Sequence, residues 1–263
     1  MVHIDQDLCI GCKACAADCP GNAIKMEDNK AQVVKKCIQC GHCVAICPVK
    51  AVSIPEYEME DVEEYEADTF HVCPENFLHA VKFRRSIRNF REQKIEADKA
   101  ERVLAAGRYT ATAKNLQECT FIFVQEKLSE LKELVWKEMP GIIESLKESH
   151  PDYASAFQYF YRKWSRDPKD DTFFFNTPAF LVVASHRALD GGLAAANIEN
   201  MAVAEGLGVL YSGYMMRVIE ASPVLKEWLG MEDKHAHCCM LMGYPAVSYR
   251  RTAPRKEADI IWK

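Results

Sequence analysis

The sequence predicts an α+β chain of two domains, a small cysteine-rich one followed by a larger one in which strands alternate with helices. Three observations predict this. Eight of the 12 cysteines fall before residue 55, in two copies of one pattern. A short acidic stretch follows. Beyond it, apolar β-rich runs alternate with stretches of helical periodicity. The expected boundaries are 1–54, a linker at 55–68, and 69–263. A chain of 263 residues is long for one domain and ordinary for two.

The first copy places Cys9, Cys12, Cys15 and Cys19 as C-x2-C-x2-C-x3-C-P, and the second repeats the spacing at Cys37, Cys40, Cys43 and Cys47. Thiolates at this spacing wrap an iron–sulfur cubane from one tight loop, and the fourth Cys of each run ligates the other cluster. One [4Fe–4S] cluster is therefore assigned to Cys9, Cys12, Cys15 and Cys47, and a second to Cys37, Cys40, Cys43 and Cys19. A structural zinc site would account for four Cys at a time, but not for the repeated spacing with its proline. A segment this small cannot hold itself together by apolar burial alone, so the clusters serve as its core. Short strands are expected at Val2–Ile4, Ala23–Met26, Gln32–Val34 and Val52–Ile54. The segment resembles bacterial-type two-cluster ferredoxins.

The net charge of −5 is unevenly placed. Residues 55–68 hold eight Asp and Glu and no Lys or Arg, so their repulsion predicts an extended tether. The two flanking parts are nearly balanced, which argues against nucleic-acid binding. No apolar run approaches the length of a membrane span. The start carries no basic and apolar signal pattern. Free thiols and cluster cysteines favour a reducing, cytoplasmic setting.

Within 69–263 the expected elements are helices at Phe77–Phe83, Ala97–Gly107 and Lys127–Lys137, and strands at Thr120–Gln125, Ala179–Ser185 and Ala236–Gly243. A further helix is expected at about Gly191–Glu205, capped by Asp190 and ended by Gly206. Residues 140–176 read as irregular and aromatic-rich, a lid over a substrate or packing in a core or interface.

Candidate chemistry in this part starts at Arg84-Arg85-Ser86-Ile87-Arg88. Arginine forks match phosphate oxygens, and a serine hydroxyl adds a hydrogen bond. In order there follow Lys114-Asn115-Leu116-Gln117, Asn176-Thr177-Pro178, Asp190-Gly191-Gly192, Tyr211-Ser212-Gly213, Gly243-Tyr244-Pro245 and Arg250-Arg251. This ordered series resembles the nitroreductase family of FMN enzymes over most of residues 77–263. The resemblance implies an α/β nitroreductase-like FMN domain and a homodimer with FMN at the subunit interface. It places Arg84, Arg85, Ser86 and Arg88 on the FMN phosphate and ribityl chain, and brings Arg250 or Arg251 back to the phosphate. Asn115 and Gln117 would reach the flavin ring. Tyr211, Ser212 and Gly213 would lie against the flavin, with backbone N–H groups near its redox-active nitrogen. Ser212 stands where many members carry an acidic residue. No catalytic residue is singled out.

Other candidates are weaker. His235 and His237 share one strand face without a third metal ligand nearby. Cys119, Cys238 and Cys239 read as buried strand. Cys73 precedes a proline, but all eight ligands are already assigned. Tyr211 could donate a proton or simply pack. No phosphate-loop, dinucleotide-fold or Ser-His-Asp signal is found.

The expectation is an FMN and iron–sulfur oxidoreductase. The clusters pass electrons to FMN and on to a small organic acceptor: a nitroaromatic, quinone or other activated unsaturated compound. The donor is reduced ferredoxin or flavodoxin, or NAD(P)H. Two rivals stand beside it: a non-enzymatic electron carrier or redox sensor, and a flavin-modifying enzyme.

Overall fold

The computed structural model describes residues 1–231 and 233–263. The chain divides into two units. One comprises Met1–His71 together with Thr112–Gln117, and the other Val72–Ala111 with Glu118–Lys263.

The first unit follows the internal repeat. Its elements are β1 (His3–Ile4), α1 (Ala14–Ala17), β2 (Ile24–Glu27), β3 (Lys30–Val33), α2 (His42–Ala45), β4 (Val52–Ser53) and α3 (Ala67–Phe70). β1 pairs antiparallel with β4, so the two ends of the repeat meet at Ile4 and Val52. β2 and β3 form a hairpin closed by Asp28 and Asn29, both at positive φ. That is the turn type whose twist suits a two-residue hairpin. The backbone repeats with a period of 28 residues. Gly11, Lys13 and Asn22 lie in the left-handed region, and so do Gln39, Gly41 and Lys50. Around the cysteines pack Val2, Ile4, Ile24, Ala31, Ala51, Val52 and Ile54. Residues 55–68 are largely exposed, with a 3₁₀ turn at Met59–Asp61 and an ion pair from Glu64 to Lys50 at 2.7 Å.

The second unit holds α4 (Pro74–Phe83), α5 (Ala97–Arg108), β5 (Thr120–Val124), α6 (Leu128–Leu146), α7 (Pro151–Arg166), β6 (Ala179–Ser185), α8 (Ala188–Ala204), β7 (Gly208–Tyr211), α9 (Gly213–Ala221), α10 (Pro223–Trp228) and β8 (His235–Gly243). The sheet runs β5-β6-β8-β7 and every neighbouring pair is antiparallel. All seven residues of β6 are buried, because both faces of the sheet are covered. Phe180, Val182 and Ala184 pack with α6, α7, α9 and α10, while Ala179, Leu181 and Val183 pack with α5 and α8. At Gly107 a Cβ would stand 2.7 Å from the Ile198 side chain, so the glycine permits the close approach of α5 and α8.

Two expectations are corrected. Residues 140–176 are not irregular: α6 continues through Pro140 to Leu146, and α7 follows. Leu128, Leu131, Val135, Met139, Ile142 and Leu146 form one buried stripe along α6, and that stripe outweighs the amide proton lost at Pro140. The aromatic residues close over it: Trp136 and Trp164 stack at 5.2 Å, and Phe157, Phe173 and Phe174 are buried. Asp190 does not cap its helix, which starts at Ala188 after Arg187. It sits buried in the first turn, where an acid complements the helix dipole.

Candidate functional site

In the first unit, Cys9, Cys12, Cys15 and Cys47 line one small cavity with Ile4, Ala31, Val49 and Val52. The crossed set expected from the spacing thus shares one space. No three His, Cys, Asp or Glu side chains among the described residues are gathered closely enough for a single ion. Four thiols with apolar walls, drawn from the repeated C-x2-C-x2-C-x3-C-P runs, fit an iron–sulfur cluster better than one zinc ion. Hydrogen bonds from the Ala31 and Gly11 amides hold the Cys9 thiol below its usual pKa. Burial pushes Cys15 up, and pushes Cys43 up to about 11 with the neighbouring Cys37 and Cys40 adding to it. Such crowding of thiols is relieved when a cationic cluster takes the thiolates.

The repeat extends to the sulfur hydrogen bonds. Ala23 N–H donates to Cys19 Sγ at 3.2 Å, and Ala51 N–H to Cys47 Sγ at 3.3 Å. In the second run Gln39 N–H donates to Cys37 Sγ at 3.2 Å. His42 Nδ1 and Asp18 Oδ2, one from each run, lie 3.0 Å apart. Asn115 and Gln117, expected at a flavin ring, spend their amides within this unit. Asn115 Nδ2 donates to Gln39 O at 2.9 Å and Ile38 O at 3.3 Å, and Gln117 Nε2 donates to the Tyr57 hydroxyl at 3.0 Å.

In the second unit β7 organises the remaining candidates. The chain leaving α4 runs beside β7, with Ser86 bridging Val209 and Ile87 N–H donating to Val209 O at 3.0 Å. Two residues further along, β7 ends at Tyr211, and the turn Ser212–Gly213 opens α9. The Arg84–Arg88 stretch and the Tyr211–Gly213 turn therefore lie along one strand. Ser212 caps α9, its hydroxyl accepting from Met215 N–H at 3.2 Å, which is the role a short acidic side chain also fills. Ser212 N–H is taken by Cys239 O, whereas the first amides of α9, from Gly213 on, have no acceptor inside the helix.

Three arginines meet this strand differently. Arg85 Nη2 donates to Lys82 O at 2.7 Å, but its Nε is buried without a partner. Arg88 is exposed. Arg84 Nη1 lies 3.5 Å from Glu199 Oε1 on α8. Glu199 was missed by the sequence reading, which had no signal for it inside an apolar helix. Burial raises its pKa, and Arg84 and the Tyr211 hydroxyl pull it back down. Tyr211 is 38% exposed overall, yet its hydroxyl donates to Ala195 O at 3.0 Å. Burial, then the Glu199 charge, hold that phenol above its usual pKa. Arg250 and Arg251 are exposed beyond β8, and no ion pair among the described residues ties them to Arg84–Arg88. An unpaired guanidinium nitrogen, exposed arginines, a hydroxyl and free helix-start amides along one strand fit an anionic, phosphate-bearing ligand such as FMN.

The weaker candidates lie elsewhere in the second unit. Cys73 precedes α4 with its Sγ 3.4 Å from Glu75 Oε2. His235 faces Glu220 at 3.2 Å. His237 falls at the bulge of β8 opposite Val183 and Ala184.

A family model described as the nitroreductase family matches residues 81–244, and one described as a 4Fe-4S dicluster domain matches residues 1–48. Among solved structures, a nitroreductase with bound FMN from Bacteroides fragilis aligns with a TM-score of 0.55 at 20% identity, over 71% of this chain and 98% of its own. A nitroreductase with bound FMN from Desulfitobacterium hafniense gives 0.55 at 17% identity, over 71% and 98%. A BluB-like flavoprotein from Clostridium difficile gives 0.51 at 16% identity, over 72% and 96%. No curated protein matches the chain. Among the described residues no helix is long and apolar enough to cross a membrane.

Proposed function

Since the chain belongs to the nitroreductase family, we propose that it is an FMN-dependent oxidoreductase supplied with electrons by two [4Fe–4S] clusters. When bound, the clusters would carry single electrons, and FMN would accumulate two for a small organic acceptor such as a nitroaromatic, a quinone or another activated unsaturated compound.

The observation that carries this reading is the alignment of Arg84–Arg88 and Tyr211–Gly213 along β7, with a buried Arg85 Nε awaiting a partner. Arg85, Arg88 and Ser86 would anchor the phosphate, with Arg84 held in place by Glu199. The α9 start at Gly213 would offer its amides to the ring. Arg250 or Arg251 would add to the phosphate site. Cys9, Cys12, Cys15 and Cys47 would hold one cluster, and Cys37, Cys40, Cys43 and Cys19 the other. A homodimer is part of the proposal. Phe77, Leu78, Val81 and Phe83 of α4, and Leu189 and Leu193 of α8, are exposed, an apolar surface that a second copy would cover.

The test is anaerobic purification followed by rapid-mixing spectroscopy. About eight iron atoms and one FMN are expected per chain. Reduction is compared with NADH, NADPH and reduced ferredoxin or flavodoxin, and reoxidation with a nitroaromatic or a quinone. Acceptor-dependent flavin reoxidation supports the proposal. A protein with clusters but no flavin, or one reoxidised only by a protein partner, overturns it.

A further inference from the structure

One strained part of the first unit is the strap Thr112–Gln117. Lys114, Asn115 and Gln117 have φ of 54°, 55° and 51°. Left-handed backbone is costly for a residue with a Cβ, though Asn tolerates it better than most, and it persists only where surrounding contacts enforce it. Hydrogen bonds within the strap enforce it. Asn115 N–H donates to Thr112 O at 3.0 Å, and Gln117 N–H to Thr112 Oγ1 at 2.9 Å. The strap so formed presents the Asn115 amide to two carbonyls at once, Ile38 and Gln39.

Ile38 and Gln39 are the two residues between Cys37 and Cys40. Gln39 is itself left-handed, at φ 53°, where the first run has Gly11 at φ 66°. Its N–H donates to the Cys37 sulfur. The two runs are thus secured differently. Lys30 Nζ ties the Cys9 carbonyl to that of Gln6. The second loop, with a side chain where the first has glycine, is gripped by an asparagine 76 residues away.

We infer that Asn115 is a positioning residue of the second cysteine run: by holding the Ile38 and Gln39 carbonyls it fixes the amide aimed at Cys37 and sets the reduction potential of that cluster apart from the first. The inference rests on the reading that both runs hold [4Fe–4S] clusters. Hydrogen bonds to the sulfurs are among the determinants of cluster potential, and the groups that orient them act through that geometry. Asn115 then serves the cluster, and its amide is not free for a flavin ring.

The experiment is an EPR-monitored redox titration of the full-length holoprotein, with iron, sulfide and flavin measured per chain. Asn115→Gly keeps the left-handed turn and removes the donor. It is expected to shift the midpoint of one cluster signal, or to lose about half the iron, with flavin content and flavin spectrum unchanged. Asn115→Gln retains a donor and is expected to restore the wild-type midpoint at least in part. Gln117→Ala removes the other side-chain bond of the strap and should leave both midpoints in place. If Asn115→Gly loses about half its iron while Gln117→Ala keeps all of it, the Asn115 bonds and not the strap as a whole are responsible, in keeping with the inference; loss of all the iron in Asn115→Gly overturns the selective role. Unchanged midpoints in Asn115→Gly, or an altered flavin spectrum with both clusters untouched, overturn it. Wild-type protein lacking iron and sulfide would instead overturn the underlying reading of the cysteines.

Discussion

The two units are held together by different physics. In the second, β6 is buried along its whole length, and apolar side chains fill both faces of the sheet. In the first, the strands are two to four residues long and three of the ten buried core residues are cysteines. A core of that size falls short of the conformational entropy lost on folding unless something else cross-links it. The second unit therefore owes its fold to area buried, and the first, on the proposal made above, would owe its fold to clusters held by its thiols.

That contrast can be broken most severely by stripping iron with a chelator under anaerobic conditions. Residues 1–54 are expected to lose amide-exchange protection as a block, while the second unit keeps its cooperative unfolding transition. Persisting protection in β1–β4 would show that the apolar residues suffice. The converse change is Phe180→Ala, at a fully buried position in β6. It should cost the second unit about 3–5 kcal/mol in denaturant unfolding, with iron content per chain unaltered. A smaller effect lies at the surface of the aromatic helix pair. The Thr172 hydroxyl and amide, then Lys163, hold the Asp170 carboxyl down at about 2 from 3.8. A carboxylate with a lowered native pKa adds stability above its unfolded value, and that increment is lost as pH falls from 3.8 through about 2. Asp170→Asn should thus be less stable than the parent near neutral pH, and the gap should close by about pH 2 in thermal unfolding.

What could be read from the sequence follows the same division. Cluster chemistry fixes spacing, so the grouping of Cys47 with Cys9, Cys12 and Cys15 could be read before any fold was known, and those four do line one cavity. β6 was legible because six apolar residues in a row need burial on both faces. Residues 140–176 were not, because Pro140 imitates a helix end and the aromatics obscure the period of α7. Its start nevertheless carries the signal of a proline at the first turn. α9 and α10 could have been found from Ser212 and Ser222, each of which caps a helix, the second just before Pro223. Glu199 and the bonds of Asn115 were beyond reach: one depends on Arg84 meeting a helix more than a hundred residues later, the other on residues 76 apart.

The discontinuity of the first unit has a consequence for biosynthesis. Chains emerge from the ribosome amino end first, and domains tend to fold as they appear. All eight cluster cysteines have been made by residue 47, but Thr112–Gln117 follows only after Val72–Ala111. Iron and sulfide can thus be received by a nascent chain whose second loop is still ungripped. The strap is thus a late fastening, available to the second loop only after all eight cysteines have been made.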